Sequence, residues 1–168
     1  MAESPPNIEE LRNVGLFGAV NDDVLQFLAS KLVVLSPKSG DVIFREGDPA
    51  RDMFVVMSGE MEVQKRSHNG IDARVALLGP GDWFGEMSIL DVQPRSASVR
   101  VLAPSRLLRI SAADLDALYR HDTRAYAIIV LNIARELSRR LRVADGLLAD
   151  FVINVMGHYI ERRRPPAS

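Results

Sequence analysis

"VIFREGDPARDMFVVMSGEMEVQ", residues 42–64, contains three short apolar runs divided by residues that turn a chain. The runs are Val42 to Phe44, with Asp41 just ahead of it, Met53 to Met57 and Glu60 to Gln64, and the dividers are Glu46-Gly47-Asp48-Pro49 and Ser58-Gly59. Glycine reaches positive φ without steric cost and proline fixes φ near its turn value, so each divider can reverse an extended strand. Working outward, the same grammar continues: VVLS (33–36) precedes the stretch, and RVALL (74–78), SASVRV (96–101) and SRLLRI (105–110) follow it. Pro37, Ser39-Gly40, His68-Asn69-Gly70 and Gly79-Pro80-Gly81-Asp82 punctuate them. Ala97, Val99 and Val101 alternate with Ser96, Ser98 and Arg100, the pattern of a strand with one face inward. Seven or eight short strands between Val33 and Ile110 predict an antiparallel sandwich or barrel.

Both flanks change period. Before Leu32, the apolar residues Ile8, Leu11, Val24, Leu25, Phe27, Leu28 and Leu32 recur at helical spacing, with Asn21 as an N-cap and Asp22 and Asp23 as first-turn acids. After Ile110, Ser111 is placed to cap a helix over Ala112–Tyr119, and Asp122 or Thr123 to cap a long helix from Arg124. Along that helix Ala127, Val130, Ala134, Leu137, Leu141, Ala144, Leu148, Phe151 and Val155 keep a 3-4 spacing through about four heptads. Such a seam pairs with a second copy of itself or packs on its own sandwich, and a homodimer through this helix is the expectation carried forward. Gly146 weakens the helix middle by about 1 kcal/mol relative to alanine. The expected organisation is a helical segment over 1–32, a β core over 33–110, C-terminal helices over 111–161 and a frayed tail over 162–168.

Composition narrows the function classes. Apolar residues make up 47% and charged residues 26%, as in folded globular chains rather than disordered ones. The start, MAESPPNIEE, has neither a basic leader nor an apolar run, and Ala125 to Leu131 is too short to span a bilayer, so a cytoplasmic protein without membrane partners is expected. Zero cysteines exclude disulfides and thiolate metal sites, and His68, His121 and His158 lack ligand spacing, so no metal is expected. The net charge of -1 hides an asymmetry: residues 1–99 hold 9 basic and 15 acidic groups, residues 100–168 hold 12 and 7. The basic tail is read as the solvated face of a helix, and nucleic acid is not an expected partner. No nucleophile triad or Walker loop is present, so catalysis is not expected.

One segment remains unexplained by packing. "FGEMSILDVQPRSASV", residues 84–99, puts Glu86 and Arg95 at the ends of a mostly small or apolar stretch. Gly85 to Leu90 can form one or two helical turns, which Pro94 stops, and the N–H groups of a helix start favour an anion. Gly85 has no Cβ to keep a ligand from the backbone, and Arg95 and Ser96 return with a guanidinium and a hydroxyl. Glu86 is out of place beside an anion unless it accepts from a neutral donor such as a sugar hydroxyl. Taken singly, Glu86 reads as a first-turn acid and Arg95 as a surface partner of Asp91. Taken together with the glycine and serine, they read as a site.

Phe84-Gly85-Glu86, Met87 to Leu90 and Pro94-Arg95-Ser96-Ala97 resemble the phosphate-binding cassette of cyclic nucleotide-binding domains, a family that includes catabolite activator proteins, kinase regulatory subunits and gated channels. Phe44-Arg45-Glu46-Gly47-Asp48, Asp52 to Val56 and Ser58 to Val63 resemble the family's early strand and hairpin, in the same register. The resemblance covers roughly residues 11–150. It implies a mostly β fold with flanking helices, a jelly-roll-like β-roll with short N-terminal helices and a long C-terminal helix. It also implies that Glu86 holds a ribose 2′-hydroxyl, Arg95 and Ser96 the cyclic phosphate, and the Gly85 and Ala97 backbone the same ligand. An Arg-Arg-Leu-x-Val register on the long helix would put Ala144 and Asp145 near the base. Ser96 is the serine of cAMP-binding members, so cAMP is expected ahead of cGMP. The implied role is a stand-alone cyclic nucleotide sensor that relays binding to a partner protein through its C-terminal helix, since too few residues follow Tyr159 for a DNA-binding domain. Two alternatives stand beside it: a nucleic-acid-associated regulator using Arg135, Arg139, Arg140, Arg142 and Arg162 to Arg164, and a ligand-free scaffold of the same fold.

Overall fold

The computed structural model describes residues 4–162, with side chains through Met156. The predicted tail, apart from the backbone of Arg162, lies outside the described residues. Six strands form one antiparallel sheet among the described residues: β1 Val33–Leu35, β2 Val42–Phe44, β3 Asp52–Arg66, β4 Asp72–Leu78, β5 Trp83–Phe84 and β6 Ser98–Ser111. Their order is β1-β6-β3-β4, with β2 also on β6 and β5 also on β3. The two long strands thus organise the rest, running antiparallel from Asp52 opposite Ser111 to Gln64 opposite Ser98.

The count of seven or eight strands is corrected by these two. Met53 to Met57 and Glu60 to Gln64 are one strand, since Ser58-Gly59 does not reverse the chain, and Ser98 to Val101 and Ser105 to Ile110 are likewise parts of one strand. At Ser58-Gly59 the register shifts instead, and Gly59 takes φ +92°. A Cβ there would lie 2.0 Å from Ser105 Oγ and 2.7 Å from Ser105 Cα, so only glycine lets the bulged strands meet. The result is a bend in both strands rather than a hairpin.

Inside the roll, Phe54, Val56, Met61, Leu78, Phe84, Val99, Val101 and Leu107 form a buried cluster with Ile43, Phe44 and Val63 against it. Each large apolar side chain so buried contributes about 1.5–3 kcal/mol. The N-terminal elements are α1 Ile8–Arg12, a 3-10 turn Gly15–Phe17 and α2 Asp22–Lys31. Asn7 and Glu10 make a reciprocal capping box on α1, and Asn21 accepts from Val24 N at 3.2 Å to cap α2. Leu11, Leu16, Phe17, Val24, Leu25 and Leu28 are buried beneath them.

The one-turn helix α3, Met87–Leu90, lies between β5 and β6 in the chain, and two further helices follow β6. Ser111 caps α4, Ala112–His121, by the predicted hydroxyl, reinforced by Asp114 reaching back to Ser111 N at 2.8 Å. The long helix α5 is Thr123–Arg162, with Asp122 Oδ1 accepting from Ala125 N at 2.9 Å.

The described residues divide into two compact units, one up to Asn132 and one from Ile133, with the break inside α5. In the first unit, Ala125 and Ile129 of α5 are buried, and Asn132 Nδ2 donates to Leu16 O and Gly18 O, both at 3.0 Å. In the second, Leu141, Val143, Leu147, Leu148, Phe151, Val152, Ile153, Val155 and Met156 are exposed. No helix among the described residues is long and apolar enough to cross a membrane.

Candidate functional site

The segment 84–99 folds back on the roll between β5 and β6. Gly85, at φ +82°, turns the chain out of β5, and α3 makes a single turn. Val92 then adopts φ +57°, a costly conformation for a β-branched residue, with the neighbouring Gln93 N donating to Asp91 Oδ1 at 3.1 Å. Strained backbone of this kind gathers at ligand sites. Beyond Pro94 the chain is clamped by the turn 45–48: Arg95 N donates to Asp48 O and Gly47 N to Arg95 O, both at 2.9 Å, and Glu46 N donates to Ser98 Oγ at 2.9 Å. Lys65 Nζ adds a bridge between Glu46 Oε1, at 2.8 Å, and Ser96 O.

Arg95 is the centre of this arrangement. It is only 5% exposed, and its guanidinium carbon lies 3.9 Å from the centroid of Phe44. Nη1 donates to Asp52 O at 2.7 Å and to Gly85 O at 3.0 Å, while Nη2 pairs with Asp52 Oδ1. A guanidinium has five N–H donors, so Nε–H and one Nη2 N–H remain, the pair that forms its side edge. Nε is buried and has no acceptor among the described residues. A buried donor left in that condition costs about 1–3 kcal/mol, more on a charged group, unless something accepts from it. Burial pulls the Arg95 pKa below its ordinary value, opposed first by Asp52 and then by Asp48 and Glu86.

Glu86 is 3% exposed and occupies the N-cap position of α3, yet its side chain makes no capping hydrogen bond; its carbonyl accepts from Ile89 N and Leu90 N, both at 3.1 Å. The cassette therefore holds a buried carboxylate, Glu86, next to Gly85 in the chain and a buried guanidinium, Arg95, against the Gly85 carbonyl. Ser96 is exposed, its hydroxyl 3.6 Å from Met87 Sδ, and Ala97 is half-buried.

Three readings of single residues change. Arg95 is no surface partner of Asp91, since it is buried against Asp52, 43 positions upstream. The space that Gly85 leaves is filled by Arg95 itself: a Cβ there would lie 2.5 Å from Nη1 and 3.3 Å from Asp52 O. Asp52, quoted only as part of the second motif, is a site residue that sequence reasoning missed. A carboxylate heading an otherwise apolar strand was the available signal.

The residues assigned to the base and to self-pairing lie elsewhere on the chain. Ala144 and Asp145 are exposed on α5 in the second unit, as are Ala134, Leu141, Leu148 and Phe151; Leu137, in the same unit, and Val130, in the first, are half-buried. A groove of about 530 Å3 lies among Val42, Arg45, Gln64, Arg66, Ser98 and Arg100. Ser98 and Arg100 flank the inward-facing Val99, so this groove is on the outer face of the sheet; it shares Ser98 with the segment 84–99 and Arg45 and Glu46 with the turn that clamps it. Among the described residues no group of His, Cys, Asp or Glu could hold a metal ion.

Known proteins give the fold and the cassette a context. The family model for the cyclic nucleotide-binding domain matches residues 35–122. A CRP-like cAMP-activated global transcriptional regulator of Mycobacterium tuberculosis is 31% identical over 144 residues, 86% of this chain and 62% of that protein. The cyclic AMP receptor protein of Thermus thermophilus is 39% identical over 106 residues, 63% of this chain and 47% of that protein. A crystal structure of a cyclic nucleotide-binding domain from Methylobacillus flagellatus superposes with a TM-score of 0.76 at 26% identity, covering 85% of this chain and 81% of that one. The chain thus spans about half to three fifths of the length of these two relatives.

Proposed function

The chain belongs to the cyclic nucleotide-binding domain family, and from that premise we propose that it is a cAMP sensor in which Arg95 receives the cyclic phosphate. The observation that carries this reading is the side edge of Arg95: a buried Nε–H without an acceptor among the described residues, on a fork whose other edge is already fixed by Asp52 and Gly85. Two parallel N–H groups on one edge match two oxygens of a phosphate. Arg95 can take the ligand without giving up Asp52.

In this reading Glu86 accepts from the ribose 2′-hydroxyl, the Ser96 hydroxyl and the Gly85 and Ala97 backbone complete the phosphate and sugar contacts, and the base meets Ala144 or Asp145. The names of the mycobacterial and Thermus relatives both specify cAMP, which supports cAMP over cGMP. Residues 33–110 form the nucleotide-binding core, and the long helix carries the signal. Binding selects the arrangement of cassette and helix that has the higher nucleotide affinity, and an effector protein reads the helix, alone or paired with a second copy. The role is recognition and relay rather than catalysis.

Isothermal titration calorimetry with cAMP and cGMP tests this. We expect saturable binding with cAMP the tighter ligand, and loss of at least about 100-fold in affinity for Arg95→Leu, the scale of a truncated buried charge contact. Unchanged affinity in a folded Arg95→Leu protein overturns the assignment.

A further inference from the structure

Asp52 holds two arginines on its two carboxylate oxygens. Arg95 Nη2 sits on Oδ1, and Arg109 Nε donates to Oδ2 at 2.8 Å. The sheet register makes this possible: Asp52 on β3 faces Ser111 on β6, and Arg109, two residues earlier, projects from the same face. The three groups differ sharply in their access to water. The Arg95 side chain is 4% exposed, that of Asp52 19% and that of Arg109 46%. They form a relay from solvent to the buried fork.

A carboxylate that met Arg95 alone could turn about its own bond and would cancel the charge it holds. Arg109 changes both conditions. Its bond to Oδ2 fixes the plane of the carboxylate, and hence where Oδ1 holds the Nη2 corner of Arg95. It also leaves the trio with one net positive charge. Glu10 with Arg106 and Glu46 with Lys65 are separate pairs elsewhere on the roll, so neither substitutes for it.

We infer that Arg109 is a positioning residue of the nucleotide site: by holding Oδ2 of Asp52 it orients Arg95 and preserves the positive charge that a phosphate meets. The inference rests on the reading that Arg95 receives that phosphate. Arg109 touches no ligand in this scheme and acts only through Asp52.

The test is a double-mutant cycle on cAMP affinity with wild type, Arg109→Gln, Asp52→Asn and the double variant, alongside Arg109→Lys and Arg95→Leu. Arg109→Gln is expected to weaken binding on the order of tenfold in the wild-type background and to have no further effect once Asp52→Asn is present, the non-additivity of linked groups. Arg109→Lys is expected to recover part of the loss, because an ammonium restores the charge without the fixed Nε direction. A residue that merely stabilised the sheet would weaken binding by the same factor in both backgrounds, and that result overturns the inference.

Should Asp52→Asn fail to fold, the Arg95 Nε–H resonance decides: a shift on Arg109→Gln supports the link, and an unmoved signal refutes it. Wild-type affinity in Arg109→Gln, where Arg95→Leu abolishes binding, sinks this inference alone. Absence of cyclic nucleotide binding by the wild type sinks it together with the reading of the site.

Discussion

The cassette and the distal half of α5 break the ordinary rule of burial in opposite directions. In the cassette, Glu86, Ser88 and Arg95 are polar or charged and at most 5% exposed. On the helix, Leu141, Leu148 and Phe151 are apolar and exposed by 61%, 61% and 64%. Exposed leucines singly need no explanation, but a periodic row of them does, just as buried charges do. On the reading proposed above, a phosphate with its sugar would meet the first and an apolar surface the second. The comparison teaches that departures of opposite sign, buried charge and exposed apolar surface, call for partners of opposite chemistry.

The strongest way to break that comparison acts on the cassette. Gly85→Ala puts a Cβ against Arg95 Nη1 in a backbone conformation that alanine resists by about 1–2 kcal/mol. The guanidinium can yield only by leaving Asp52 or Gly85 O, so nucleotide affinity should fall roughly 100-fold or more, with a smaller drop in thermal stability. Calorimetry beside a melting curve separates the two effects. Binding like that of wild type would mean that the fork's geometry is irrelevant.

Next in size is the helix. If the row of exposed leucines meets a second copy, Leu141→Glu with Leu148→Glu removes apolar burial worth about 1.5–3 kcal/mol per side chain and sets like charges together. Sedimentation velocity should then show a dimer for the wild type and a monomer for the variant. A wild type that sediments as a monomer assigns the row to a different protein. The smallest effect belongs to Gly146→Ala. Nothing lies within 4 Å of the added Cβ, so the helix should gain up to about 1 kcal/mol and melt a few degrees higher. A loss of stability or of dimer would show that position 146 lies inside a contact.

Much of this was legible in the sequence because it is local. Asn21 and Ser111 cap the helices that their positions announce, and Gly85, Glu86 and Arg95 share one short segment with recognisable spacing. What escaped is non-local. Ser58-Gly59 looks like a hairpin turn until Ser105 is known to lie opposite it, where the glycine makes room instead of reversing the chain. Asp52 looks like a strand-end carboxylate until the register brings β3 against β6 and the clamp at 47–48 draws Arg95 inward. The role of Gly85 was legible as an open space but not as to its occupant, because a residue ten positions later fills it.

The ladder between β3 and β6 has a kinetic consequence. The cassette lies in the chain between these strands, while the residues that orient Arg95 sit on the strands themselves: Asp52 near the start of one and Arg109 near the end of the other. A nascent or partly collapsed chain therefore has the segment 84–99 without the bed on which it works. Closing so long a loop is slow relative to helix formation, and ligand recognition should appear only after it, in the last phase of refolding. A fluorescent nucleotide added at the start of a refolding jump would light up with the slowest step and with none before it.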